Sequence, residues 1–396
     1  MSEPEVPGEL ANRRRRHRRY LAWGAGGLAV LLVAVAVAAF TALSHFNANI
    51  RQDNITGMLG TRPVNAHPQA ENILVIGSDS RHGLSRAYGR GLTTDQSDTM
   101  ELIHVPANRQ WAEVMSIPRD SWVNIPSCKM SNGKMAPPRQ YKINEAFALG
   151  NLYGNHIDLG VACTVKTLEQ DTGIYINHFV VVNFTGLESM VAALGGVPEC
   201  NNTPINDPLS GLHLTAGHHM LDPRQALGYV RARYTLGDGS DLERIGRQQA
   251  FMSAMIGRVK GELLNPVAVY RFLDAATRSL TIDSQLGGIT GLYNLGESLR
   301  NIPSGKIAFF TVPNHPDPAQ PADVVWTQPE DSKIFASFRD DVPASSTLFK
   351  GNPANPPEAA GRGDSVTGTT PPPSVSPTPS KLPIHGRTAN QSICAG

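Results

Sequence analysis

Apolar residues in this chain form one long unbroken run, followed by a series of short ones. The long run covers residues 21–43 and contains no charged side chain. A helix of that length, at 1.5 Å per residue, extends roughly 35 Å, enough to cross a hydrocarbon core of ~30 Å. Beyond it, short apolar stretches bounded by Gly, Pro or polar residues read as strands: 73–76 ending at Gly77, 100–105, 114–117 stopped by Pro118, 179–184 and 306–312. Helical patterns alternate with them. One covers 186–194 and is terminated by Gly195-Gly196. A second starts at Asp222-Pro223, a capping residue followed by proline at the first helical position, and continues through Ala226, Leu227 and Val230. Others cover 241–259, with apolar Leu242, Ile245, Phe251, Met252 and Met255, and roughly 266–278 and 288–299. This alternation argues for an α/β layered fold with helices sandwiching at least part of the sheet.

The flanks of the long run orient it. Arg13, Arg14, Arg15, Arg16, Arg18 and Arg19 precede it directly, and Tyr20 and Trp23 lie where interfacial aromatics are expected. The positive-inside rule keeps the arginines cytoplasmic and puts residues 44–396 outside the plasma membrane, as in a single-pass protein. A cleaved signal peptide shares the basic start, but the run is too long for its apolar region, and Ala38-Ala39-Phe40 is a poor cleavage site. The chain then divides into a basic cytoplasmic tail (1–20), a transmembrane helix (21–43), a polar stalk (44–70), a core region (71–260), the remainder of the folded ectodomain (261–340) and a tail (341–396). Pro, Ser, Thr and Gly dominate the tail, with Pro371-Pro372-Pro373 among them, and such composition predicts disorder. Arg362-Gly363-Asp364 matches an adhesion tripeptide, but a motif that short arises readily by chance.

Composition narrows the function. The chain has 396 residues, 40% of them apolar, enough for an ordinary core without a metal or disulfide framework. Its 35 basic and 34 acidic side chains leave +1. The first 43 residues hold six arginines against three acids, so the rest carries 29 basic and 31 acidic groups, net −2. A globally basic nucleic-acid binder is excluded by that balance. Four cysteines rule out a disulfide-dense scaffold. An outward-facing domain permits disulfides; spacing leaves the connectivity of Cys128, Cys163, Cys200 and Cys394 open, and a Cys128–Cys163 bridge is the expectation. No CxxC or Cys/His spacing supports structural zinc. Walker A, G-x-S-x-G and HExxH strings are also absent, which removes support for nucleotide-driven chemistry and the common hydrolases. The pair His218-His219 reads as part of a loop rather than as metal ligands.

Three clusters can carry chemistry. Gly77-Ser78-Asp79-Ser80-Arg81 follows a core strand, and ligands in open α/β sheets bind outside the carboxyl ends of strands. Ser97-Asp98-Thr99-Met100 stands at the mouth of the next strand. Two carboxylates at adjacent strands suit Mg²⁺, which prefers hard oxygen ligands; ordinary turn chemistry is the alternative. The third cluster is basic: Arg231 and Arg233 leave the 222 helix, and Asp241, Arg244, Arg247 and Gln248 share one helix face at offsets of three, six and seven. Arg119, in Pro118-Arg119-Asp120, joins them from a strand end. Solvated ion pairs such as Asp241 with Arg244 are the plain reading. Arginine pairs across the turn Gly237-Asp238-Gly239 also make an anion pocket, because the guanidinium fork donates bidentately to phosphate oxygens. Arginines facing a carboxylate-held metal are what phosphoryl transfer requires.

Several strings carry a resemblance. NILVIGSDSR, SDTMELIHV, VMSIPRDSWVNIP, KINEAFALG, TGIYINHFVVVNFTGLESMVAALGGV and YVRARYTLGDGSDLERIGRQQAF, in order over roughly residues 71–260, resemble the LytR–CpsA–Psr family of bacterial cell-envelope proteins. The resemblance implies a three-layer α/β/α sandwich with a mixed central sheet, on a single N-terminal transmembrane helix, and an apolar pocket for a polyprenyl chain. It implies a phosphotransferase that moves a glycopolymer from a polyprenyl diphosphate-linked glycan to the muramyl 6-hydroxyl of peptidoglycan and releases polyprenyl phosphate, with no nucleic acid involved. By matching position, Asp79 and Asp98 would ligate Mg²⁺. Arg119, Arg231, Arg233, Arg244, Arg247 and Gln248, with Arg81 a weaker member, would surround the diphosphate. Among these, Asp79, Asp98, Arg119, Arg231 and Arg244 would carry catalysis. Two departures stand out. Gln96 occupies a place where many members have Arg, and the segment from Ser80 to Ser97 is long, with Arg86 and Arg90 as substitutes. A lipid-diphosphate phosphatase, with pyrophosphatase activity as its side-reaction form, and a non-catalytic regulator that binds polyprenyl diphosphate lipids are the competing readings.

Overall fold

The structure, a computed structural model, describes residues 7–78, 97–151, 156–232, 241–262, 265–344 and 387–388. Two units divide the chain, Met1–Asn49 and Ile50–Gly396. The first is the helix α1 (Pro7–Asn49). Its stretch Tyr20–Asn49 is long and apolar enough to cross a membrane. Trp23, Leu28, Val33 and Phe40 are all exposed there. A helix that is apolar all round has no polar face to turn to water, so a lipid environment suits it.

The second unit is built on an eight-stranded mixed sheet. Its strands are β1 (Arg51–Asp53), β2 (Glu71–Ser78), β3 (Ser97–Val105), β4 (Ala112–Ser116), β5 (His178–Asn183), β6 (Leu280–Asp283), β7 (Ile307–Thr311) and β8 (Arg387–Thr388), in the order β1-β6-β5-β2-β3-β4-β7-β8. The centre, β2-β3-β4, is antiparallel, while β5 runs parallel to β2 and β7 parallel to β4. The strands expected at 73–76, 100–105, 114–117, 179–184 and 306–312 lie within or across these elements.

Helices cover both faces. Against one face pack α2 (Asn144–Asn151), α3 (Ile157–Thr172) and, from later in the chain, a helix at Glu330–Arg339. There Leu74, Ile76, Met100, Leu102, Met115 and Phe310 meet Phe147, Val161, Leu168 and Phe338 in a continuous buried core. On the other side lie α4 (Phe184–Ala193), α5 (Pro223–Arg231), α6 (Asp241–Glu262), α7 (Pro266–Thr277) and α8 (Gly288–Arg300). Val114, Ile307 and Phe309 pack there with half-buried Ile103, Met252 and Leu299. Three layers, α/β/α, result. The start of α5 follows the sequence signal in full: Asp222 accepts from the backbone of Gln225, whose side chain caps Asp222 in return, and Pro223 occupies the first position.

Some boundaries differ from expectation. Residues 50–70 are not a stalk but part of the folded unit. Ile55 and Leu59 enter the core, and Arg62 pairs with Glu169 with Nε 3.0 Å from Oε2, while its guanidinium stacks on the Tyr175 ring. The packed chain also continues past 340, through buried Ala344, whose amide donates to Glu113. His218-His219 lies on the strand Gly217–Leu221 of a hairpin rather than in a loop, and His219 contacts the Thr215 carbonyl. Cys128 and Cys163 form the expected disulfide, with Cα atoms 5.4 Å apart. Cys200 is disulfide-bonded as well, and Cys394 lies outside the described residues.

Candidate functional site

Three neighbouring strands deliver the site. The carboxyl end of β2, the amino end of β3 and the carboxyl end of β4 meet at one end of the central strands, because β3 runs antiparallel to both. A β-bulge marks the place: Gly77 pairs with Thr99 while Ser78 pairs with Ser97, so Asp98 is the extra residue. A bulge re-aims a side chain out of the regular alternation. A Cβ at Gly77, opposite Thr99, would sit 2.1 Å from Thr99 Oγ1, so a larger residue there would have to displace that hydroxyl.

Asp98, thus placed, meets Arg119 from the β4 end. Arg119 Nη1 donates to Asp98 Oδ1 at 2.7 Å, and both side chains keep about a fifth of their surface exposed. The loop carrying Arg119 is held by its backbone: Ser121 donates to Pro118 at 3.0 Å, and Asn144 donates to the Arg119 carbonyl at 3.2 Å. Arg244 reaches the same bulge from α6, with Nη2 3.4 Å from the Asp98 carbonyl oxygen. Its guanidinium is almost wholly buried. Arg231 ends α5, where a cation complements the helix carboxyl terminus.

The α6 face expected to hold an anion also organises the end of α5. Gln248 Nε2 donates to the Val230 carbonyl at 3.0 Å, and Arg247 donates to that of Ala232. These two side chains therefore secure the segment bearing Arg231 as well as standing beside it. Asp79, Arg81 and Arg233 lie outside the described residues, as do Arg86, Arg90 and Gln96, and so does the side chain of Asp241. The structure thus brings Asp98, Arg119, Arg231, Arg244, Arg247 and Gln248 to one end of the sheet and its flanking helices.

Two groups at this end were not singled out from the sequence. Lys142, inside the KINEAFALG string, places Nζ 3.3 Å from Asp120 Oδ1 and 2.6 Å from Asp323 Oδ1. Burial would lower its pKa, but Asp323 and Asp120 outweigh that and hold the ammonium above its usual value. The other is Glu101, on β3 and opposite Val75. It accepts from Ser116 Oγ at 2.7 Å, and Ser116 accepts from Gln249 of α6 at 2.8 Å. Burial raises its carboxyl from 4.5 to about 7, with the Ser116 bond opposing. Nothing local marked Lys142, a charge at the end of the polar strand Arg139–Lys142, whereas Glu101 is a lone acid within the apolar run 100–103, which is itself a signal.

A magnesium ion is implied by the resemblance, and of its two expected ligands only Asp98 lies among the described residues. Asp98 is a hard-oxygen donor whose Oδ1 carries Arg119, and its other oxygen has no partner among the described residues. No group of three or more His, Cys, Asp or Glu side chains is assembled for a metal among the described residues, so Asp98 needs Asp79 or substrate oxygens to complete a site.

Comparison with known proteins adds to this geometry. The model of the LytR_cpsA_psr family matches residues 35–337. The chain is similar to a probable cell wall biosynthesis protein, LcpB, of Corynebacterium glutamicum, with 32% identity over 354 residues that cover 85% of this chain and 76% of that protein. It is similar to the polyisoprenyl-teichoic acid–peptidoglycan teichoic acid transferase TagT of Bacillus subtilis, with 28% identity over 320 residues, 76% of this chain and 90% of that one. A solved LytR-Csp2A-Psr enzyme from Actinomyces oris shares the fold, with a TM-score of 0.53 and 22% identity over 73% of this chain and 95% of that one.

Proposed function

The chain belongs to the LytR_cpsA_psr family, and from that membership we propose that it is a membrane-anchored transferase that moves a glycopolymer from a polyprenyl diphosphate carrier to peptidoglycan. The observation that carries this reading is the convergence of Asp98, Arg119 and Arg244 on one bulge between central strands, with the helix that bears Arg231 fastened at its end to Arg247 and Gln248 of the Arg244 helix. The stretch Tyr20–Asn49 of α1 is the anchor, and the arginines that precede this stretch keep that end cytoplasmic, which leaves the site outside.

The half-buried apolar residues under α6–α8 form the bed of the polyprenyl chain, and the diphosphate lies on the arginines. Arg231 and Arg244 oppose its negative charge, and a partly buried guanidinium does this more strongly than one in water. Arg119, already seated on Asp98, turns its remaining donors toward phosphate oxygens. Asp98 together with Asp79 would hold Mg²⁺, which when bound neutralises diphosphate charge. The muramyl 6-hydroxyl attacks the sugar-proximal phosphorus, a new P–O bond forms, and the bridging P–O bond to the lipid phosphate breaks. The hydroxyl proton passes to a carboxylate of the site or to water. No ATP is consumed, because the diphosphate bond supplies the driving force.

The test uses the full chain in detergent with polyprenyl-diphosphate sugar and a peptidoglycan fragment, with Mg²⁺ and with chelator, following both products. A glycan–muramyl phosphodiester and polyprenyl monophosphate, both dependent on metal, are expected. Lipid phosphate without the phosphodiester would replace the transferase by a phosphatase. Tight binding of the donor with no product under any metal condition would replace it by a regulator.

A further inference from the structure

The charges around Arg119 do not end at Asp98. Arg119 Nε also faces Asp120 Oδ2 at 3.4 Å, Asp120 Oδ1 faces Lys142 Nζ at 3.3 Å, and Lys142 Nζ pairs with Asp323 at 2.6 Å. The series alternates in sign from Asp98 through Arg119, Asp120 and Lys142 to Asp323. Its last member is nearly sealed from solvent, whereas Asp98 keeps about a quarter of its side chain exposed.

Asp323 belongs to a segment far along the chain that is docked onto the Arg119 loop. Val324 donates its amide to the Asp120 carbonyl at 3.1 Å and forms an isolated bridge with Ser121. Trp326 Nε1 donates to Ser121 Oγ at 3.0 Å. The strands Asn314–Pro316 and Val324–Trp326 pair antiparallel, and the Asp323 carbonyl accepts from Asp317 at 2.9 Å, so the acid is presented by a closed hairpin. A carboxylate this buried is costly without a cation beside it. Lys142 supplies that cation, and the pair then has a definite place.

We propose that Asp323 is a positioning residue for the site: by holding Lys142 against Asp120, it keeps Asp120 on Arg119 and so seats the Arg119 guanidinium on Asp98. The C-terminal part of the ectodomain thereby contributes to the geometry of a site whose other members lie before residue 250. The proposal deepens the transferase reading and rests on it for its kinetic consequence, though not for its structural one.

The experiment compares the full chain in detergent with Asp323→Asn, Lys142→Met and the double variant. Three quantities are read: acylation of Lys142 by an amine reagent, modification of Arg119 by phenylglyoxal, both mapped by peptide mass spectrometry, and steady-state transfer. In Asp323→Asn, Lys142 acylation should rise several-fold and Arg119 modification should rise with it. Turnover should fall about tenfold with KM for the lipid donor within about twofold, because the anion cradle of Arg231 and Arg244 is intact. Lys142→Met should reproduce the Arg119 and turnover effects, and the double variant should be no worse than Lys142→Met alone. If either single variant does not fold, the double variant carries the test, since it leaves neither a buried carboxylate nor its ammonium unpaired.

Unchanged Arg119 reactivity in the variants overturns the proposal. So does a lowered Tm with normal turnover of the folded protein, which would mark Asp323 as merely structural. A raised KM in Lys142→Met with Arg119 unaltered also overturns it, as the sign of a direct diphosphate contact. If the native chain transfers nothing, the transferase reading falls, and Arg119 labelling still decides the positioning: a rise supports it and no change defeats it.

Discussion

The two faces of the central sheet are unequal. Toward α2 and α3, Leu74, Ile76, Met100, Leu102 and Met115 are each no more than 1% exposed. Toward α4–α8, Val75 and Ile103, which occupy the middle of the same strands, are only half-buried. Both faces are roofed by helices, so the difference lies in how tightly the roof fits. Interiors normally pack like organic crystals. Val114, Ile307 and Phe309 on that second face are buried, at 4%, 8% and 0% exposure, so the looser fit is local to Val75 and Ile103. The first face is packed throughout to hold the fold, whereas the second carries one looser patch around Val75 and Ile103, where the proposed polyprenyl chain would lie. Glu101 lies on that second face, between Val75 and Ser116.

The sharpest separation of the two roles comes from the charged end. Arg231→Ala, or Asp98→Ala, should reduce transfer about 10²–10³-fold, the usual cost of losing one electrostatic stabiliser. Tm should stay near the native value, because both positions are partly exposed. Native transfer rates in both folded variants would remove these residues from the mechanism.

Deletions on the two faces should differ in the opposite sense. Leu102→Ala on the first face should cost about 3 kcal/mol in denaturant unfolding, whereas Ile103→Ala, at a half-buried position of the second, should cost roughly 1 kcal/mol, since less contact is lost. Equal costs would mean that the faces are packed alike.

Glu101 supplies a pH-dependent version. A carboxyl raised from 4.5 to about 7 in the folded state is penalised only when it ionises. The penalty is absent below pH 4.5, grows between 4.5 and 7, and is constant above. Glu101→Gln should therefore match the native chain at low pH and exceed it in stability by about 3 kcal/mol above pH 7. A stability difference that does not vary with pH would show that the carboxyl titrates normally.

The smallest effect concerns the patch around Val75. Val75→Phe should raise KM for a long-chain polyprenyl donor about tenfold, while leaving a donor with a short prenyl chain nearly unaffected. Equal effects on both donors would place the lipid elsewhere.

Much of the architecture was legible because its signals are local. The apolar run of the anchor, the short strands at 73–76 and 179–184, and the Asp222-Pro223 start each depend on neighbours within a few positions. Asp98 and Arg119 were legible as candidates, and they meet at 2.7 Å although 21 residues separate them. The folding of residues 50–70 was not legible, since Arg62 finds its partner Glu169 107 positions later. Lys142 and Asp323 read as ordinary surface charges until the 313–326 segment is seen lying on the Arg119 loop.

Period, capping and hydrophobicity act over one or two turns of chain, and so the order of residues already dictates the anchor, the alternation of strands and helices, and the residue types able to meet an anion. Which carboxylate faces which cation, which strand positions are covered less tightly, and how far Glu101 is shifted depend on desolvation and on distances between elements. Those quantities exist only once the chain has closed on itself. A one-residue bulge at Asp98 illustrates the division: the string that contains it could be read from the sequence, while its aim at Arg119 arises from the pairing of β2 with β3.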